Sequence, residues 1–177
     1  MLKNVVLTGF MGSGKSSIGR ELSQSLGYPV IDTDALIVER AGKAIKEIFA
    51  DEGEEVFREM ESQVLRDLLA EHPHKHIIST GGGIIGREEN RSLLRELGYV
   101  IWLRVSPEEI LKRTARNSER PLLNNEDPAE TVARLLAERV PLYKETAHLT
   151  IDTDNLTFPE ITAGIIESAR YHFGSVD

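Results

Sequence analysis

The chain has 177 residues, of which 40% are hydrophobic and 28% are charged, and its formal net charge is −8. This length and composition predict one globular domain, 1–177, with a buried core. The negative charge argues against a general binder of nucleic acid or of an anionic membrane, because such a surface needs a basic face. Cysteine is absent, which excludes disulfides and thiolate chemistry. With no signal-peptide pattern and no apolar run of membrane-spanning length, we expect a cytoplasmic protein.

Short apolar runs alternate with helical patterns along the chain. The predicted strands are 4–8, 28–32, 75–79, 99–105 and 148–152, and the helical patterns cover 15–26, 36–41, 44–69, 87–97 and 159–171. The acidic run 51–55 is expected to end one helix and to charge the first turn of the next. Capping residues followed by proline predict two more helix starts, at Ser106 and Asp127. Apolar strands joined by helices predict an α/β three-layer sandwich, in which a five-stranded parallel sheet carries helices on both faces.

The stretch Gly9–Ser16 reads GFMGSGKS and fits the GxxxxGK[ST] pattern of a phosphate-binding loop. It follows a predicted strand and opens a helix, which is the context that the pattern requires. Lys15 would reach the outer phosphates, and Ser16 would offer its hydroxyl to Mg²⁺. The pattern therefore predicts ATP or GTP with magnesium. Because the base-reading NKxD of GTPases and the strand-terminal Asp-Glu pair of ATPase motors are absent, a small-molecule kinase is the favoured class.

Two further segments follow predicted strands, at the sheet edge where ligands of parallel sheets bind. The first contains Asp32 and Asp34. One of these carboxylates could hold magnesium through water, and the other could orient an acceptor hydroxyl. Alternatively, Asp34 only caps the helix that starts at Ala35. The second segment is the run Gly81–Gly83, whose missing side chains would let a ligand approach the main chain or would form a plain turn.

Four arginines could surround the same edge: Arg58, Arg113, Arg120 and Arg139. Some would meet nucleotide phosphates together with Lys15. The others would be left for an anionic acceptor, since arginine pairs with a carboxylate through two hydrogen bonds. Alternatively, Arg58, Arg113 and Arg120 are ordinary surface charges. The polar stretch 116–126, which contains Arg120, is expected to be a mobile flap.

Taken together, these elements resemble the shikimate kinase family. The stretches GFMGSGKSS, DTD, FREME, GGG, RPLL and RVPLY occur in that order and at family spacing from Val5 to about Ile166. The resemblance implies a P-loop fold like that of nucleoside-monophosphate kinases, and a monomer with ATP and shikimate as partners. It implies phosphorylation of the shikimate 3-hydroxyl, giving shikimate 3-phosphate and ADP on the way to chorismate and the aromatic amino acids. The nearest alternative is a gluconokinase-like or other small-molecule kinase, and a more distant one is a nucleotide-binding regulator without turnover.

The resemblance also implies residue roles. Residues 33–70 would bind shikimate, with Arg58 and Arg139 on its carboxylate, Asp34 on the reacting hydroxyl, and the backbone at Gly81 and Gly82 facing the ring. Mg²⁺ would be served by Ser16 and, through water, by Asp32. Catalysis would fall to Lys15, Asp34 and Arg120, the last carried by a lid at 116–126. The nucleotide would be held by Gly12, Ser13, Gly14, Lys15, Ser16, Ser17, Arg113, Arg120, Asn155 and Leu156.

The family often has a basic side chain near the turn at Asn155 and Leu156, and leucine cannot supply that polar contact to the base. The tail 174–177 is expected to fray.

Overall fold

A five-stranded parallel sheet forms the centre of the molecule. The computed structural model describes residues 4–115 and 127–174. The predicted lid at 116–126, with Arg120, and residues 175–177 lie outside the described residues. The strands are β1 (Asn4–Thr8), β2 (Val30–Asp32), β3 (Ile77–Ser79), β4 (Gly98–Arg104) and β5 (Leu149–Asp152). Their order in the sheet is β2-β3-β1-β4-β5, and every neighbouring pair is parallel.

Helices follow the strands in the order that the sequence predicted. They are α1 (Lys15–Leu26), α2 (Thr33–Ala41), α3 (Ile45–Glu52), α4 (Glu54–Glu71), α5 (Glu88–Leu97), α6 (Pro107–Thr114), α7 (Pro128–Thr146) and α8 (Phe158–Gly174). A short 3-10 turn, Ile84–Gly86, follows the glycine run. Ser106 and Asp127 cap α6 and α7 with proline in the first turn, as expected.

Alternate residues of the central strands face two separate cores. Val6 is in register with Ile78 and Val100. This row packs against helices α2, α3, α4, α5 and α7. The next residues along β1 face the other side, where Leu7 and Ile101 meet α1 and α8. A strand buried on both faces has to be apolar throughout, which is why these strands show no alternation in the sequence. The predicted three-layer α/β sandwich is confirmed.

Two local boundaries differ from the sequence reading. The pattern 44–69 forms two helices that break at Gly53, whose φ of 89° no side-chain-bearing residue adopts easily. The acidic run was therefore a correct indicator of the break. Helix α2 begins at Thr33 because Asp32 caps it, accepting hydrogen bonds from the backbone N–H groups of Asp34 and Ala35. The alternative in which Asp34 is the cap is wrong.

None of the helices in 4–115 and 127–174 has the length and apolarity that crossing a membrane requires.

We expect that Asn4→Ala lowers the free energy of unfolding by about 2–4 kcal/mol. The Asn4 side chain is buried, donates to the carbonyls of Pro73 and Leu97, and accepts from the N–H of His76. Its loss leaves several buried backbone groups without partners. Urea unfolding checks this. The exposed amide variant Gln63→Ala should change stability by less than about 0.5 kcal/mol, and equal losses in both variants would contradict the argument.

Candidate active site

A cavity of about 1020 Å³ opens at the carboxyl ends of β1, β2 and β3. The phosphate-binding loop forms one side of it, and the segment after β3 forms the floor. Most of the residues that the sequence singled out line this cavity: Gly12, Gly14, Lys15, Ser16, Ser17, Asp32, Asp34, Arg58, Gly81, Gly82, Arg113, Arg139 and Leu156. One space therefore joins the predicted donor and acceptor residues, which lie far apart in the chain.

The loop between β1 and α1 has the conformation of an anion cradle. Gly14 takes the left-handed conformation at the N-cap of α1, with φ of 89°, so the first free N–H groups of the helix face the loop. The Lys15 ammonium donates to the carbonyl oxygens of Gly9 and Phe10 at 2.7 and 3.0 Å and to the Ser13 hydroxyl at 3.2 Å. Lys15 is thus folded over its own loop, where a phosphate chain would replace these carbonyls as its partner.

The glycine run is crowded by protein atoms, which gives a reason for its lack of side chains. A Cβ on Gly81 would lie 2.7 Å from Asp34 Oδ1 and 2.9 Å from Glu61 Oε1. A Cβ on Gly82 would lie 3.2 Å from the backbone nitrogen of Met11, in the phosphate-binding loop. The run therefore lets two carboxylates and the loop backbone pack directly against its main chain.

The third glycine accommodates an arginine. A Cβ on Gly83 would lie 2.5 Å from Arg58 Nη1, so no larger residue fits while Arg58 keeps this position. The Gly81 N–H, expected to face a ligand, donates here to the Thr33 hydroxyl at 3.3 Å. Contact between the Gly81 and Gly82 backbone and a ligand remains a prediction.

Arg58 and Arg139 lie on different helices and reach the same region of the cavity. Arg58, on α4, donates to Glu61 at 2.7 Å and to Glu54 at 3.1 Å, and only 14% of its side chain is exposed. Arg139, on α7, is buried against the ring of Phe10, with 5.3 Å between the guanidinium carbon and the ring centroid. The reading of Arg58 as a solvated surface charge is wrong, because it lies half-buried in the cavity wall.

Glu61 is the site residue that the sequence reasoning underrated. Its side chain is 1% exposed, and its Oε1 has no hydrogen-bond partner among the described residues. Burial raises the pKa of the Glu61 carboxyl to about 7, although the positive charges of Arg58 and Arg139 act in the opposite direction. The sequence could have indicated this burial, because Glu61 lies four residues after Phe57 and three before Val64, within the apolar stripe of α4.

The end of the cavity where the sequence predicts the nucleotide base offers few polar groups. Arg113, on α6, donates to the Gly12 carbonyl at 3.1 Å and to Glu109 at 2.8 Å, so it lies against the phosphate-binding loop. Leu156 and Phe158 line this end, whereas Asn155 is exposed one residue earlier. Apolar contact and the Arg113 guanidinium are what this edge offers to a base.

Ser16 and Asp32 are the candidate magnesium residues. Both line the cavity beside the phosphate-binding loop. A hydroxyl and a carboxylate are oxygen donors of the kind that Mg²⁺ prefers, and such ions keep several waters and bind substrate phosphates as well. No cluster of three or more acidic or histidine side chains that could hold a metal occurs in residues 4–115 and 127–174. The donor set therefore fits an ion that arrives with a nucleotide rather than one in a protein cage.

Comparison with known structures shows which folds this chain resembles. The chain is similar to the shikimate kinase from Acinetobacter baumannii in complex with shikimate, with a TM-score of 0.91 and 36% identity, covering 99% of this chain and 96% of the other. A gluconokinase from Sinorhizobium meliloti has a TM-score of 0.55 at 16% identity. That second likeness establishes the shared fold alone.

Sequence comparisons agree over nearly the whole length. The shikimate kinase of Dechloromonas aromatica is 42% identical over 165 residues, covering 93% of this chain and 87% of the relative. The shikimate kinase of Symbiobacterium thermophilum is 43% identical over 169 residues, covering 94% and 96%. The family model described as shikimate kinase matches residues 11–170. The chain therefore belongs to the shikimate kinase family, whose members transfer a phosphoryl group from ATP to a hydroxyl group of shikimate.

Proposed function

We propose that this chain phosphorylates the 3-hydroxyl of shikimate at the cavity described above, with Mg²⁺ as the ion that accompanies ATP. The observation that carries the proposal is the single cavity that joins the phosphate-binding loop to Asp34, Arg58 and Arg139. Shikimate is a cyclohexene carboxylate with three hydroxyls. An acceptor of this kind needs cationic groups for its carboxylate and an acidic group for one alcohol.

The part of the cavity proposed to bind shikimate brings positively and negatively charged side chains close together. Arg58 and Arg139 bind the carboxylate, for which their planar donor groups are suited. Asp34 lies with Glu61 at the Gly81 main chain and accepts the hydrogen bond of the reacting hydroxyl. Since the acceptor is fixed at both ends, its hydroxyl oxygen points towards the phosphate-binding loop.

The proposed donor half holds the triphosphate. The N–H groups of the loop and of α1 bind phosphate oxygens, and Lys15 moves from the loop carbonyls to the outer phosphates. Ser16 and Asp32 would hold Mg²⁺, which when bound would supply positive charge to the phosphates. Arg113 lies against the base. Arg120, outside the described residues, is proposed to add positive charge at the transferring group.

The reaction then follows as an in-line displacement. The oxygen of the hydroxyl forms a bond to the γ-phosphorus while the bond from that phosphorus to the bridging oxygen breaks, and ADP leaves. Asp34 accepts the proton of the hydroxyl. Because such transition states are loose, alignment and charge stabilisation contribute more than a strong base does.

A coupled assay of ADP release tests the acceptor. We expect ADP release that requires both shikimate and Mg²⁺, with no comparable turnover of gluconate or of a nucleoside monophosphate. Chelation by EDTA should stop the reaction, and added Mg²⁺ should restore it. Turnover of gluconate or a nucleotide, but not of shikimate, would reject the acceptor assignment. Nucleotide binding without turnover of any acceptor would favour a regulatory protein.

Arg58→Ala should weaken shikimate binding by about 1.5–3 kcal/mol, because it removes hydrogen bonds to a charged group. The matched control is Arg66→Ala on the same helix, since Arg66 pairs with Glu59 and Glu89 and does not line the cavity. Steady-state kinetics should give a raised shikimate KM for the first variant alone, with the KM for ATP unchanged in both. An unchanged shikimate KM would contradict the proposed role of Arg58 in binding the shikimate carboxylate.

The buried carboxyl of Glu61 gives this site a pH-dependent stability. Its folded pKa of about 7 lies above the ordinary value of 4.5, so the folded chain binds more protons than the unfolded chain between these values. The contribution of the raised Glu61 pKa to the free energy of unfolding is fully present below pH 4.5 and is lost as the pH rises through 7. We expect the free energy of unfolding of the wild type, relative to Glu61→Gln, to fall by about 1–3 kcal/mol from pH 5 to 8.

Urea unfolding at pH 5, 6, 7 and 8 measures this difference. Glu59→Gln is the control on the same helix, because hydrogen bonds from Arg66 and Arg87 lower the pKa of Glu59. Glu59 is exposed, and the free energy of unfolding of the wild type relative to Glu59→Gln should not fall as the pH rises. A difference between the wild type and Glu61→Gln that stays constant across the range contradicts the prediction.

A further inference from the structure

Tyr143 connects α7, the helix that carries Arg139, to the glycine run at the floor of the cavity. It lies on α7 four residues after Arg139, which puts both side chains on the same face of the helix. The ring is 1% exposed and stacks on Trp102, with ring centroids 5.6 Å apart and planes 16° apart. Its hydroxyl donates a hydrogen bond to the carbonyl oxygen of Gly82. Tyr143 itself does not line the cavity, so the proposed reaction gives it no direct part.

The hydroxyl also faces the cationic part of the site. Burial raises the pKa of Tyr143, while the charge and hydrogen bonding of Arg139 and the charge of Arg58 act in the opposite direction. The phenol is therefore protonated at neutral pH. The phenol donates its single proton to the Gly82 carbonyl, and the positive charge of Arg139 acts on it from one helical turn away on α7.

The peptide that Tyr143 holds also positions the second arginine. The Gly82 carbonyl belongs to the peptide bond that leads into Gly83, and the guanidinium of Arg58 packs on Gly83 so closely that a Cβ there would lie 2.5 Å from it. Rotation of this peptide would change the surface on which Arg58 rests. Both arginines are thus linked to this peptide: Arg58 packs on Gly83, and Arg139 lies one helical turn before Tyr143, whose hydroxyl holds the Gly82 carbonyl.

We propose that Tyr143 is a positioning residue for the acceptor: its hydroxyl fixes the Gly82–Gly83 peptide and thereby sets the spacing of Arg58 and Arg139. The proposal rests on the proposed function, because the spacing matters for a carboxylate that both guanidinium groups bind. Two-arginine recognition of one carboxylate is sensitive to shifts of less than 1 Å, since each hydrogen bond depends on distance and angle. Among the described residues Tyr143 donates to Gly82 and not to the phosphate-binding loop, so we expect its loss to act on the acceptor more than on the nucleotide.

Tyr143→Phe tests this, because phenylalanine keeps the ring on Trp102 and removes only the hydroxyl. We expect the shikimate KM to rise about fivefold to twentyfold, while kcat changes by less than about threefold and the KM for ATP is unchanged. The matched control is Tyr99→Phe. Tyr99 is also buried and its hydroxyl pairs with that of Ser168 at 2.9 Å, but it belongs to the core on the opposite face of the sheet.

The two variants each lose one buried hydroxyl contact, so a purely structural role predicts the same kinetics for both. An unchanged shikimate KM in Tyr143→Phe, or an equal rise in Tyr99→Phe, overturns the proposal. So does an equal rise in the KM values for shikimate and ATP. A selective rise in the shikimate KM of Tyr143→Phe supports it.

A ligand-free measurement separates this proposal from the proposed function. The amide resonance of Gly83 reports on the Gly82–Gly83 peptide, and it should shift in Tyr143→Phe but not in Tyr99→Phe. If the wild type does not phosphorylate shikimate, the proposed function fails, and the Gly83 shift still decides whether Tyr143 holds the peptide. A Gly83 resonance at the wild-type position in Tyr143→Phe overturns the positioning role.

Discussion

The site depends on three consecutive residues without side chains. At Gly81, Gly82 and Gly83 the main chain is approached in turn by two carboxylates, by the backbone of the phosphate-binding loop and by a guanidinium group. At Gly81 and Gly83 these atoms are closer than a Cβ would permit, and at Gly82 a Cβ would be tightly packed. The absence of side chains therefore brings the phosphate-binding loop and the proposed acceptor groups to one strip of backbone.

The second constraint is the balance of buried charge. Asp34 and Glu61 lie at Gly81, with Arg58 and Arg139 beside them, so two negative and two positive groups share a space largely removed from water. Burial of an ionised group is unfavourable unless partners compensate it, and Glu61 is only partly compensated, as its raised pKa indicates. A folded protein that carries such a group gives up stability at neutral pH. Arg58 already pairs with Glu54 and Glu61, so an anionic ligand that binds here would share this guanidinium group with two carboxylates of the chain.

The framework around the site keeps these groups in place. The sheet is buried on both faces, and the carboxyl ends of its strands carry the phosphate-binding loop, the Asp32–Asp34 segment and the glycine run at one edge. Helices α4 and α7 contribute one arginine each from the same face of the sheet. The residues proposed for the donor and the acceptor are therefore held by elements whose relative positions are fixed by a common core.

The sequence by itself determined the layered α/β fold, the helix starts at Ser106 and Asp127, and the phosphate-binding loop, because these depend on local periodicity, capping and a contiguous motif. Only the tertiary structure decided the rest of the site. It showed that Asp32 rather than Asp34 caps α2, and that the glycine run gives room to this chain's own side chains. It also showed that Glu61 is buried beside Arg58. These facts arise from contacts between distant segments, and a linear pattern records which residues are present but not which atoms meet.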